Sequence, residues 1–163
     1  MDTEFLLDIT PFDWPSIFMA LLCGTIIGLE RQIRGKPAGI RTSALIILGT
    51  YVFIACSTYV SINANMTDPS RIIGQVITGI GFLGAGVMLS KGRSVYGVTS
   101  AATIWALAAV GVCIGIGELG SAFKLSLVVV VILFVVDCFE DYSQHLGKHV
   151  HSRFHRWRNR DDE

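Results

Sequence analysis

Hydrophobic positions along this chain collect into five long runs separated by short polar segments. The first extends from Trp14 to about Leu29 and closes on Glu30-Arg31-Gln32-Ile33-Arg34. A second covers Thr42 to about Ile62, and a third follows Asp68-Pro69 and ends near Ser90. The fourth opens at Thr99 or Ser100 and reaches about Gly117, and the fifth is centred on Leu125 to Val136. About 20 apolar residues in helical conformation match the roughly 30 Å hydrocarbon thickness of a bilayer. Each run therefore predicts a transmembrane helix. Val128 to Ile132 has the composition of a strand, but an isolated strand in lipid would leave its backbone groups unpaired, so it belongs to the fifth helix.

Polar punctuation supports these limits. Asp13 or Trp14 caps the first helix, with Pro15 where a helix tolerates proline and Trp14 suited to the membrane interface. Gly35-Lys36-Pro37-Ala38-Gly39 reads as a turn, and Asp68-Pro69 as a cap and first-position pair for the third helix. The expected architecture is an all-α polytopic membrane bundle of about five helices. It has an N-terminal arm over 1–13, a membrane domain over 14–139 and a tail over 140–163.

Composition agrees, since 52% of the 163 residues are hydrophobic and 16% charged. The formal net charge of zero conceals a segregation that orients the helices. Arg31, Arg34, Lys36 and Arg41 fall in the first joint, Lys91 and Arg93 in the third, and Lys148, Arg153, Arg156, Arg158 and Arg160 in the tail. Only Arg71 and Lys124 remain for the opposite side, so two of the 13 basic residues lie there. Basic residues mark the cytoplasmic side, which places the N-terminus outside and the C-terminus inside. The acidic arm, with Asp2, Glu4, Asp8 and Asp13, lacks the basic start of a cleavable signal, so the first helix reads as a retained span.

Small residues dominate several spans. Gly24 and Gly28 share a face of the first helix, and Gly111 and Gly115 a face of the fourth. Gly79, Gly81, Gly84 and Gly86 crowd the third. Helices in lipid associate through close backbone approach, so these glycines are expected to pack a dense bundle; the sharper reading is a glycine face lining a pathway. Cys23, Cys56, Cys113 and Cys138 lie in apolar runs without metal-ligand spacing and read as packing residues.

Polar groups at membrane depth require partners or a purpose. Arg71, Gln75 and Thr78 share one face of the third helix near its outer end; Arg71 snorkelling and Gln75 bonding a neighbour is the bland account, a polar site the functional one. Thr99 and Thr103 are expected to bond backbone carbonyls, and Trp105 to pack. On the inner side Glu30 and Arg34 are one turn apart and can pair, with Arg31, Arg41, Lys91 and Asp137 at similar depth. Positive-inside anchoring explains the basic residues, whereas topology requires neither Glu30 nor Asp137. If Glu30 is only structural, Glu30→Gln should cost little function once protein level is matched, because Gln can still hydrogen-bond.

His145, His149, His151 and His155 in the tail form two pairs at i, i+4 spacing. Phe154 and Trp157 among the tail arginines favour a basic amphipathic segment on anionic headgroups over a metal site, and lipid over nucleic acid. No Walker loop, zinc cluster or serine elbow is present, which points away from an enzyme. No metal site or resident cofactor is expected. Two peripheral carboxylates per chain are few for a magnesium-stripping site, which prefers an octahedral oxygen shell.

Three ordered motifs carry a family resemblance. Gly28-Leu-Glu30-Arg31-Gln32-x-x-Gly35-x-x-Ala38-Gly39-x-Arg41-Thr42 resembles the signature of the bacterial MgtC/SapB membrane proteins. So do Gly79-Ile-Gly81-Phe82-Leu83-Gly84-Ala85-Gly86, with Gln75 ahead of it, and Gly97-Val-Thr99-Ser-Ala101-Ala102-x-x-Trp105-x-x-Ala108-Ala109-x-Gly111. The resemblance covers about Ala20 to Phe139. It implies a bacterial inner-membrane protein with about five spans, a periplasmic N-terminus and a cytoplasmic tail. It also implies links to adaptation to low magnesium, survival inside host cells and restraint of the membrane ATP synthase. Relatives often carry a soluble C-terminal domain that the two dozen residues after the fifth span do not match.

Two functions follow as expectations. One is a regulatory protein acting through helix contacts with itself, a dimer being favoured, or with another membrane complex such as the ATP synthase. The alternative is a transporter or channel for a small ion such as magnesium. A weak internal repeat accompanies both: the joint Gly35–Ala44 resembles Gly92–Ala101, which would make the two helix pairs parallel repeats.

Overall fold

The structure, a computed structural model, describes residues 8–63, 70–91, 94–136 and 138. The described residues form five helices, each long and apolar enough to cross a membrane. They are α1 (Trp14–Ile33), α2 (Ile40–Asn63), α3 (Ser70–Val87), α4 (Val98–Gly115) and α5 (Leu119–Val136). Between α3 and α4 two three-residue strands, β1 (Leu89–Lys91) and β2 (Ser94–Tyr96), pair antiparallel with Ser90 opposite Val95. Asp137, the tail 140–163 and the Asp68–Pro69 cap lie outside the described residues.

Helix α1 begins as its sequence requires. The Asp13 carboxylate accepts the Ser16 N–H at 2.8 Å, and Pro15 occupies the first turn, where its missing N–H costs nothing. Its end lies beyond the apolar run: Glu30 and Arg31 complete the last turn, and Gly35 at φ 63° reverses the chain. Ala38 also adopts a left-handed conformation, φ 66°, which allows α2 to start at Ile40 rather than Thr42. The fourth helix departs from expectation at its start. Gly97, not Thr99 or Ser100, is the N-cap, because its φ of 87° turns the chain out of β2.

Glycine permits the closest approaches. A Cβ on Gly24 would lie 2.5 Å from the Ala44 Cα, and one on Gly28 2.5 Å from the Ile40 Cα, so α1 and α2 meet backbone to backbone. On α4, a Cβ on Gly111 would lie 2.6 Å from the Thr50 Cβ, and one on Gly115 2.5 Å from the Ile54 Cβ. Those four glycines seat α2 between α1 and α4. Around them the core collects Ala20, Cys23, Ile27, Ile47, Ile54, Leu107, Val110 and Ile114. The first half of α5 joins the same core through Ala122 and Ser126, the Cys23 thiol lying against the Ser126 hydroxyl.

The two joints share some local features. Ser43 and Ser100 are both buried in the first turn of the outgoing helix. Each is followed by an alanine that faces a glycine of the preceding helix, Ala44 against Gly24 and Ala101 against Gly84. The second pair is looser, since a Cβ on Gly84 would lie at ordinary contact distance, 3.7 Å, from Ala101.

Candidate functional site: a buried carboxylate held by two arginines, beside an open groove

At the end of α1, Glu30, Arg31 and Arg34 converge as the inner-side pattern suggested. Arg31 donates from Nε and from Nη2, the latter at 2.8 Å, to the two oxygens of Glu30. Arg34 Nε approaches Glu30 Oε1 at 3.0 Å from one turn further on. The Arg31 side chain is 1% exposed and that of Glu30 9%. A buried cation is tolerated only when paired, and a bidentate guanidinium–carboxylate contact is the geometry that best offsets its desolvation. Both arginines also sit at the negative end of the α1 dipole. One carboxylate is thus shared by two guanidiniums.

Arg41 does not join this trio. It is the second residue of α2, exposed, and lines a groove between α2 and α3 of about 670 Å³. Thr42, Leu45, Gly49 and Phe53 form one wall, and Ile72, Gln75, Gly79 and Leu83 the other. The glycine contacts fix the depth of α3. Gly111 meets Thr50 on the parallel helix α2, so Ala101, ten residues earlier, stands about level with Arg41. Gly84 faces Ala101, and α3 runs the opposite way, which brings Ile72 level with Phe53. At 1.5 Å per residue the groove is therefore about 18 Å long.

The remaining expected residues are separate. Arg71 and Gln75 are exposed and share a face with Thr78, whose hydroxyl donates to the Gly74 carbonyl at 2.9 Å. Thr103 donates likewise to the Thr99 carbonyl at 2.8 Å, as the backbone reading expected. Trp105, expected to pack, is 55% exposed, because its face of α4 turns away from the core. Gly79, Gly81 and Gly86, counted with the packing glycines, have open space where a Cβ would stand, so within the described chain the close-packing role falls to α1 and α4. Lys91 contributes to β1, and Asp137 lies outside the described residues.

One contact had no sequence signal. Tyr51, in the middle of an apolar run, accepts the Asp13 N–H at 3.0 Å and donates to the Asp13 carboxylate at 3.2 Å. Outside the membrane-spanning segments, the Asp8 carboxylate accepts the hydroxyl and N–H of Thr10, which hold it below the usual carboxylate range.

Five helices, each long and apolar enough to cross a membrane, define a multi-pass α-helical membrane protein. The chain belongs to the MgtC family, whose model matches residues 17–142. It is 48% identical over 111 residues to YhiD of Escherichia coli (strain K12), named as a candidate magnesium transporter, a match covering 64% of this chain and 51% of that protein. It is 41% identical over 114 residues to the protein MgtC of Salmonella typhimurium (strain LT2), covering 70% of this chain and 48% of that one. The chain thus spans about half the length of the curated relatives it matches. No solved structure matches it.

Proposed function

We propose that this chain serves adaptation to low magnesium as a non-catalytic regulatory protein of the bacterial inner membrane. It acts through helix contacts with a second copy of itself or with another membrane complex such as the ATP synthase. The basic joints and tail face the cytoplasm in this reading, and the Asp13 end faces the periplasm.

The observation that carries it is the outer face of α3. Gly74, Thr78, Gly81 and Ala85 recur at i, i+4, i+7 and i+11 and are all exposed. Open space surrounds both glycines of this stripe. Small residues in that register let a second helix approach closely, the contact that stabilises helix pairs in lipid. A photo-cross-linker placed at Gly81 in cells tests this reading. Capture of a second copy or of another membrane protein supports it, and labelling of lipid alone defeats it.

The second reading, passage of a small ion such as magnesium, draws on the name of the Escherichia coli relative and on Gln75 facing the groove. Glu30 counts against it, because both its oxygens are engaged by guanidiniums and unavailable to a hard cation. Magnesium flux into vesicles holding the purified chain, above that of empty vesicles, would favour this second reading.

A further inference from the structure

The groove between α2 and α3 lies on a different side of α3 from the small-residue stripe, and it combines three features at one place. Its walls are apolar over most of their length, built by side chains such as Leu45, Phe53, Ile72 and Leu83. A guanidinium, that of Arg41, stands at one end. That end is also the N-terminus of α2. Gly39 is the residue ahead of the helix, its carbonyl accepting the Ser43 N–H at 2.9 Å, and it offers no side chain to cap the first turn. The N–H groups of Ile40, Arg41 and Thr42 therefore lack partners within the helix.

Among the described residues, positive charge is concentrated here. The dipole of α2 places its positive end beside Arg41, an arrangement that repels a cation and attracts an anion. Among the described residues Arg41 makes no ion pair. The nearest carboxylate along the chain, Glu30, is already shared by Arg31 and Arg34. An anion at this point would satisfy both the guanidinium and the helix end, and Arg suits phosphate because its planar fork bonds two oxygens together.

We infer that the groove holds an anionic phospholipid of the surrounding bilayer, its phosphate on Arg41 and the α2 N-terminus and an acyl chain along the apolar walls. The dimensions favour a lipid over a helix. A groove about 18 Å long is close to the depth of one leaflet, whereas a spanning partner helix would require about 30 Å of matching surface. Its volume, about 670 Å³, falls in the range of sites for small molecules. Basic pockets between transmembrane helices hold anionic headgroups by the same combination of charge and apolar wall.

Native mass spectrometry of the full chain released from nanodiscs of equal phosphatidylglycerol and phosphatidylcholine tests the assignment. One lipid per chain should stay bound, with phosphatidylglycerol preferred about fivefold, the ratio that one basic residue near the membrane surface supplies. Arg41→Gln should bring that preference close to unity. Gly79→Leu should expel the lipid, since its side chain enters open space and fills the groove. Circular dichroism checks that each variant stays helical, and if Gly79→Leu fails to fold, Arg41→Gln decides alone. Equal retention of the two lipids by the wild type, or an unchanged preference in Arg41→Gln, overturns the proposal. So does capture of a second chain by benzoylphenylalanine placed at Leu45, because a helix would then occupy the groove. Capture at Gly81 with lipid at Leu45 would leave the regulatory reading and this one both standing.

Discussion

The Tyr51 hydroxyl ties the start of α1 to the middle of α2, accepting the Asp13 N–H at 3.0 Å while donating to the same residue's carboxylate at 3.2 Å. Asp13 thus serves two helices, because its other carboxylate oxygen caps α1 through Ser16. Phe12 adds an edge-on contact to the Tyr51 ring, with centroids 6.2 Å apart. Tyr51→Phe keeps the ring and the cap but strips the hydroxyl from a partly buried N–H. That should lower stability by about 1–2 kcal/mol, measured as an earlier thermal transition in detergent, with helical content unchanged. No change in the transition would mean that water replaces the hydroxyl.

The trio at the far end of α1 adds what Glu30→Gln should do to protein level. Gln retains hydrogen bonding, and on that ground alone the change reads as mild. With Arg31 1% exposed, however, removing the carboxylate charge takes its bidentate partner from a buried cation. Breaking a buried pair in this way costs about 3–5 kcal/mol. Glu30→Gln should therefore reduce the amount of folded protein in the membrane, and Glu30→Gln with Arg31→Met should recover part of it. If the single variant accumulates normally yet loses function, Glu30 has a role beyond pairing.

Much of this fold was legible because membrane helices advertise their length. The five runs, the Asp13 cap and the i, i+4 pair Glu30–Arg34 depend on local chemistry, and all appear where the pattern placed them. Glycine motifs were legible only in part. Gly24 and Gly28 share the same spacing as Gly111 and Gly115, and both pairs pack; Gly79, Gly81 and Gly86 look as suitable yet face open space. Composition registers that a face is small, but not whether the neighbouring helix belongs to the same chain. The Tyr51–Asp13 contact was hidden because the two residues are 38 positions apart and a tyrosine in an apolar run is not otherwise distinguished. Arg41 was grouped with Arg31 on depth alone, and depth says nothing of the direction around the helix in which a side chain points.

That distinction among glycines is measurable. Gly28→Ala places a methyl 2.5 Å from the Ile40 backbone, and Gly111→Ala places one 2.7 Å from the Ile47 carbonyl oxygen. Neither backbone can yield without shifting a helix, so each should cost about 1–3 kcal/mol. Gly79→Ala meets nothing within 4 Å, and it should change stability by less than about 0.5 kcal/mol. Equal losses in all three would show that α3 is packed by something the isolated chain lacks.

Ala38 offers the opposite test, a substitution expected to stabilise. Its φ of 66° places a Cβ in the left-handed region, where L-residues other than glycine and asparagine pay a steric penalty. The turn persists because its backbone is held on both sides. The Lys36 N–H donates to the Arg31 carbonyl at 2.9 Å, and the Ser43 hydroxyl donates to the Ala38 carbonyl at 2.8 Å. Ala38→Gly relieves the penalty while leaving both bonds intact, at some cost from a more flexible unfolded chain. The net should be a gain of up to about 1 kcal/mol, read as a later thermal transition. Ser43→Ala should act in the other direction, since Ser43 is fully buried and its hydroxyl anchors the strained residue. If Ala38→Gly destabilises instead, the alanine methyl makes a contact that outweighs the backbone strain, and the turn is held by packing rather than by its hydrogen bonds.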